Sequence, residues 1–419
     1  MIKFHPAVFN GKIKAPASEA HAQRLLYAAA MSDGRSLIFN LPDCTGIDTS
    51  ISCLEAFGCR FDHDEFNKNA LVVDPFVKTN PVPSASFNFR ESSSAARFTL
   101  PLAASCGIRS ECFAGEYLMK RRQMFALTSK MAIRGVAFSN FSLPFSMTGR
   151  LAAGEYKFSG DDDPQYICAF LMALPLLRDS SDIVLESPLR DESTVAMTIE
   201  ELSRFGIRIE KTETGWHIPG AQTYSTVPRL TVENDWALAN AWVTTGVFSA
   251  RNGGRVEIED LPANSTQLYR NTSPAYALLS QDFSELNLDC SQFPNMAAVF
   301  AAAAAVKGAT LHLSGIPQLR SGDSDLFKSL ELMTKSLGGR FESTSDSITV
   351  IGNPEAEYEN VVIDTCGDPW MFISIAAAAP LMRYPVCADD EHGAEKIYRG
   401  FLDDYKALGG RFEIIEQQN

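Results

Sequence analysis

The chain lacks the long apolar run that a membrane span requires. Its longest, AAVFAAAAAV at 297–306, is about half of the roughly 20 residues that cross a bilayer. Basic residues are also scarce: 37 Lys and Arg stand against 51 Asp and Glu, for a net charge of −14. No basic stripe offers the counter-charge that a nucleic-acid backbone wants, so no nucleic-acid partner is expected. The 9 cysteines fall singly, without CxxC spacing, and the 6 histidines lie far apart. That pattern gives neither a disulfide framework nor a zinc site, and points to reduced thiols, no metal and a cytoplasmic location. Neither GxxxxGK[ST] nor GxSxG occurs, and no cofactor is implied. The opening MIKFHPAVFNGKIKAP has no apolar h-region, so no secretory leader is expected.

What is present is repetition. A helix-like segment rich in Ala, then a polar turn and a short strand, recurs six times, beginning at Ala22, Ala95, Gln165, Trp236, Asn295 and Trp370. Self-similarity at a fixed period sets an architecture. Runs of small residues let helices approach closely, so these helices read as buried on all sides. A second segment, an amphipathic helix ending in Gly before a strand that opens with Arg, appears as EAFGCRFD (55–62), SRFGIRIE (203–210), KSLGGRFE (335–342) and KALGGRFE (406–413). The Gly suits the left-handed residue that ends a helix.

The stretch APASEAHAQRLLYAAA at 15–30 reads as a helix start, with Ser18 as N-cap and Glu19 in the first turn. Exposed N–H groups at such a start commonly receive a phosphate or carboxylate. Glu19 places a negative charge where that anion would sit, although it is also ordinary first-turn chemistry. The GDDDP of 160–164 reads as a solvated turn, His21 as a structural residue, and Arg97 and Arg122 as potential salt-bridge partners.

Nine stretches, in order, resemble the EPSP synthase (3-phosphoshikimate 1-carboxyvinyltransferase) family: PASEAHAQR, SSSAARF, GEYLMKRRQ, PQYICAFLMALP, VENDWALA, LDCSQFPNMA, LRSGDSDLF, GDPWMF and EKIYRGF. The resemblance covers nearly the whole chain. It implies an α/β fold of two domains, an inside-out α/β barrel of six repeated helix–strand units. One domain is expected over 16–227 and the other over 1–15 with 228–419, with a small-molecule ligand cleft between them; a monomer is expected. The family's reaction, in aromatic amino acid biosynthesis by the shikimate pathway, moves the enolpyruvyl group of phosphoenolpyruvate onto shikimate 3-phosphate. It needs two anion cages and acid–base groups.

By the resemblance, Arg24 matches the arginine on the shikimate ring's substituents, and Arg122 and Lys396 match cations around phosphoenolpyruvate. Gln165 matches the glutamine that spans both substrates, and Arg97 a further arginine. Asp323 stands at the family's acid–base glutamate, so Lys396 and Asp323 are the catalytic candidates. Other family positions lining the cleft are replaced: Glu19 for a lysine, Ala20, Asp163 and Asp191 for serines, Pro164 for a third phosphate-binding serine. Asn295 replaces the acid–base aspartate; Gly322, Leu326 and Trp370 replace a lysine and two arginines. Together these make the site about six charge units more negative, where a single pair ~4 Å apart at an effective dielectric near 20 is worth ~4 kcal/mol.

Three readings follow: a diverged transferase with a less anionic substrate, for instance an amine that Trp370 could face; a non-catalytic binding or regulatory relative; or an active EPSP synthase with a shifted set of residues.

Overall fold

The computed structural model describes the chain except residues 64–69, 77–81, 120–123, 190, 268–272, 317–318, 320–325 and 416–419. It divides into two compact units, Ala17–Glu233 and a discontinuous one of Met1–Pro16 with Asn234–Asn419.

One sheet plan recurs through both units. In Ala17–Glu233, strand Ser84–Asn88 pairs parallel with Arg109–Phe113, which pairs antiparallel with Phe145–Gly149, itself antiparallel to Val136–Phe138. Strands Glu155–Phe158, Ser181–Leu185, Gly215–Ile218 and Glu210–Lys211 repeat this order. The third sheet closes the unit on itself: Arg229–Thr231, at its far end in sequence, lies parallel to Ser36–Phe39, followed by Ala70–Asp74 and Arg60–His63.

The discontinuous unit follows the same plan. Glu285–Asp289, Thr310–Ser314, Ile348–Ile351 and Arg340–Ser343 form one sheet. The N-terminal strand Ile2–His5 sits between Val386–Ala388 and Arg411–Ile414, with Val361–Ile363 at the edge. Asn10–Lys14 pairs parallel with Arg255–Glu259. The first strands of the chain therefore complete sheets whose other strands come from its second half.

All six Ala-rich segments are helices: Glu19–Met31, Ser93–Cys106, Pro164–Ala173, Trp236–Ala250, Met296–Lys307 and Pro369–Ala377. A parallel strand pair needs a crossover, and a helix makes it. These helices are the cores of their units. Every residue from Met296 to Val306 is buried, as is every residue from Ala95 to Ser105.

The amphipathic segments lead into edge strands, and Gly58, Gly206, Gly338 and Gly409 all have φ between +75° and +110°. Three of the four following strands open on the expected arginine. The fourth begins later, at Glu210. The Gln222 side chain accepts from the Arg208 amide and donates to its carbonyl, so those backbone groups are unavailable for the ladder. A fifth copy, the helix Phe125–Ile133 with Gly135 and strand Val136–Phe138, was not evident from the sequence.

Candidate functional site

In Ala17–Glu233 the helix starts gather at one end, tied by two buried arginines. Arg24, in the second turn of the Glu19–Met31 helix, donates from Nε to Thr198 Oγ1 at 2.7 Å and from Nη1 to the Ala20 carbonyl at 2.6 Å. Its Nη2 reaches the Thr194 carbonyl at 3.1 Å and Cys168 Sγ at 3.6 Å. One side chain thus joins the starts of three helices, Glu19–Met31, Pro164–Ala173 and Glu192–Arg204, while its Cζ lies 5.8 Å from the Phe98 ring centroid. Arg97 joins the Ser93 and Pro164 helices: Nη1 is 3.0 Å from Asp163 Oδ2 and donates to Gln165 Oε1 at 3.1 Å. Parallel helices with clustered N-termini concentrate positive potential there, because their terminal N–H groups point the same way.

The chain meets that potential with its own acids. Ser18 is the N-cap of the first helix, as expected, accepting from the His21 amide. The Glu19 carboxylate accepts from Gln23 Nε2 at 3.1 Å and lies against Gly46, where a Cβ would fall 1.8 Å from Glu19 Oε1. Gly46 is in the first turn of the Thr45–Phe57 helix, whose N-cap Cys44 supplies no side-chain bond. Glu19 therefore stands at two helix starts, and only a glycine leaves room for it.

Asp163 caps the Pro164 helix, its Oδ1 accepting from the Gln165 amide at 2.8 Å. Asp191 caps the Glu192 helix, accepting from the Thr194 amide and from the hydroxyls of Ser193 and Thr194. The GDDDP segment opens as a turn with Asp161 exposed, as expected, and ends in Asp163 as helix cap and ion-pair partner. Ala20 gives its carbonyl to Arg24, and Pro164 takes the first helical position, where a missing N–H costs nothing.

His21 is buried, as a structural residue would be. Its Nδ1 accepts from the Glu233 amide at 2.9 Å and its Nε2 lies 3.0 Å from Glu201 Oε1. An accepting Nδ1 leaves the proton on Nε2, directed at the carboxylate. Burial works to raise the Glu201 pKa, but the hydrogen bond from His21 and the charge and hydrogen bond of Arg204 outweigh it and hold the carboxyl below its ordinary value. Nothing in the spacing of His21 and Glu201, 180 residues apart, signals this pair.

In the discontinuous unit, Lys396 and the loop before Trp370 come together. Lys396 Nζ donates to the Gly367 carbonyl at 2.7 Å. That loop is pinned by Asp389, which accepts from the Thr365 amide and hydroxyl, and by Asp364, which accepts from the Cys366 amide. Asp368 caps the Pro369–Ala377 helix through the amides of Trp370 and Met371. The Trp370 side chain is half-buried against the apolar core. Asn295 holds the N-cap position of the Met296 helix without capping it through its side chain. Leu326, at the start of the Leu326–Ser336 helix, is 4% exposed and packs in the hydrophobic core. Arg122, Gly322 and Asp323 lie outside the described residues. Among the described residues no cluster of His, Cys, Asp and Glu could hold a metal ion, and no helix is long and apolar enough to cross a membrane.

The sequence profile of EPSP synthase (3-phosphoshikimate 1-carboxyvinyltransferase) matches residues 5–273. The chain belongs to the EPSP synthase family. It is similar to the 3-phosphoshikimate 1-carboxyvinyltransferase of Clostridium kluyveri, at 25% identity across 98% of each chain, and to that of Clostridium botulinum, at 24% across 98% of each. Its fold matches EPSP synthase from Acinetobacter baumannii with a TM-score of 0.76 at 15% identity over 99% of each chain. It also matches the enolpyruvyl transferase NikO from Streptomyces tendae, with a TM-score of 0.71 at 15% identity over 98% of each chain. The fold is thus EPSP synthase-like, an α/β architecture built from a repeated sheet unit.

Proposed function

We propose that this EPSP synthase-family chain serves an enolpyruvyl-transfer type of site whose acceptor is less anionic than shikimate 3-phosphate. The observation that carries the reading is the use of Glu19, Asp163 and Asp191. All three stand at helix starts in Ala17–Glu233, where anionic ligands are ordinarily held by N–H groups. Each acid supplies the negative charge locally, and a phosphoryl group brought there would meet carboxylates. One repulsive contact of this kind at ~4 Å costs ~4 kcal/mol at an effective dielectric near 20.

Lys396, exposed and tethered to the Gly367 carbonyl, and Gln165, half-buried beside Arg97, remain the groups best suited to contact ligand. The structural likeness to a transferase not named EPSP synthase supports a changed acceptor on an unchanged scaffold. A non-catalytic relative is the second reading, favoured by the engagement of Arg24 with Thr198, Thr194, Ala20 and Cys168, a pattern that a purely structural residue would show.

Calorimetric titration with shikimate 3-phosphate and with shikimate tests the acceptor reading. Shikimate 3-phosphate is expected to bind no tighter than its dephosphorylated form. A phosphate-dependent gain of more than about tenfold, equivalent to 1.4 kcal/mol, would overturn it.

A further inference from the structure

Arg97, Asp163 and Gln165 form a closed triangle. Arg97 Nη1 lies 3.0 Å from Asp163 Oδ2 and donates to Gln165 Oε1 at 3.1 Å, and Asp163 Oδ1 accepts the Gln165 backbone N–H at 2.8 Å. The Arg97 side chain is 4% exposed and that of Asp163 is 32% exposed, so the carboxylate is the outward member of the ion pair. The Arg97 Cζ also lies 5.4 Å from the Tyr166 ring centroid. Of the two preceding acids, Asp161 is exposed and Asp162 is turned away: its Oδ2 accepts from the Ser159 amide and sits 3.5 Å from Lys130 Nζ.

Two consequences follow. The guanidinium has a counter-ion from its own chain, seated between it and the start of the Pro164 helix, where an oxyanion of a ligand could otherwise make the same bonds. The Gln165 side-chain oxygen is committed to Arg97, which leaves the Nε2 hydrogens as that side chain's donors.

We infer that Asp163 is a specificity-determining residue. Its carboxylate occupies the seat of a ligand oxyanion on Arg97, which excludes phosphorylated ligands, while Arg97 holds the Gln165 side-chain oxygen and leaves Nε2 to donate to a ligand oxygen. This deepens the acceptor reading above and rests on it for the identity of the site.

The test is inorganic phosphate binding, followed by ³¹P NMR or calorimetry, to the full chain and to the variants D163N, D163S and D163S/R97M. Asparagine and serine are both good N-caps, so the helix start is retained while the charge is lost. The unmodified protein is expected to bind phosphate weakly or not at all. D163N and D163S gain at least about tenfold, as suits a charge-assisted bidentate site, and R97M abolishes the gain. A folded D163N and D163S that bind no tighter than the unmodified protein overturn the inference, as does a gain that survives R97M. Unfolding of both single variants overturns it too, since Asp163 would then be a structural residue. The readout needs no turnover. It can therefore fail while the less anionic acceptor stands, and the acceptor reading can fail while phosphate binding behaves as expected.

Discussion

A carboxylate at a helix start satisfies orphan N–H groups and meets the positive end of the dipole in one stroke. Asp191 accepts three hydrogen bonds in this way, so Asp191→Ala should destabilise the protein by about 1 kcal/mol in urea unfolding. His21 carries more. It receives the Glu233 amide and faces Glu201 inside the protein, so His21→Ala leaves a half-buried N–H without its partner and the buried carboxylate with Arg204 alone. A loss of about 1–3 kcal/mol is expected. The pair also gives stability a pH dependence of defined sign. The Glu201 carboxyl lies below its ordinary value of 4.5 in the folded chain, so its contribution is complete above that value and is lost as pH falls through the lower folded one. Unfolding midpoints measured from pH 6 down to pH 3 should fall less steeply in Glu201→Gln than in the unmodified protein. The capping acids could be suspected in the sequence, since Asp before a helix is a common N-cap. The partner of the second oxygen could not: Asp163 Oδ2 meets an arginine 66 positions earlier, and only packing brings them together.

Helices and strands were legible to a greater degree, because the repeats make each segment vouch for the others. All six Ala-rich helices and four Gly-terminated ones are where the pattern put them. The copy at 125–138 escaped because its turn reads IRGVAF, with the arginine before the glycine instead of after it; the geometry is the same, with Gly135 at φ +93°. Gly58 shows why the glycine is needed. Its φ is +110°, and a Cβ would stand 3.1 Å from Val82 Cγ2. Gly58→Ala should cost more than about 1 kcal/mol in equilibrium unfolding. The Met296–Lys307 helix makes a complementary demand. Ala301 is fully buried, and Ala301→Leu should destabilise by about 1–3 kcal/mol through overpacking, visible as a lower thermal midpoint with helix content unchanged below it.

Taken whole, the chain is one sheet-and-helix plan repeated around two cores, with strands from the N-terminus completing sheets of the second half and Arg229–Thr231 closing the other unit. Such closure commits the cysteines to the interior. Seven of the nine are buried, Cys106 and Cys366 are half-buried, and none is in a disulfide. Burial pushes the Cys53 and Cys59 thiols up to about 12, and thiols react as thiolates. A thiol reagent should therefore titrate at most Cys106 and Cys366 in the native protein and all nine after denaturation. The proposed function turns on charge: Glu19, Asp163 and Asp191 stand at helix starts of an EPSP synthase-family chain. The most direct measurement is phosphate release from phosphoenolpyruvate by the purified protein, with and without shikimate 3-phosphate. Release that is unchanged by shikimate 3-phosphate is the predicted result. Release that depends on both substrates would contradict it, and would mean that other residues build the anion cages.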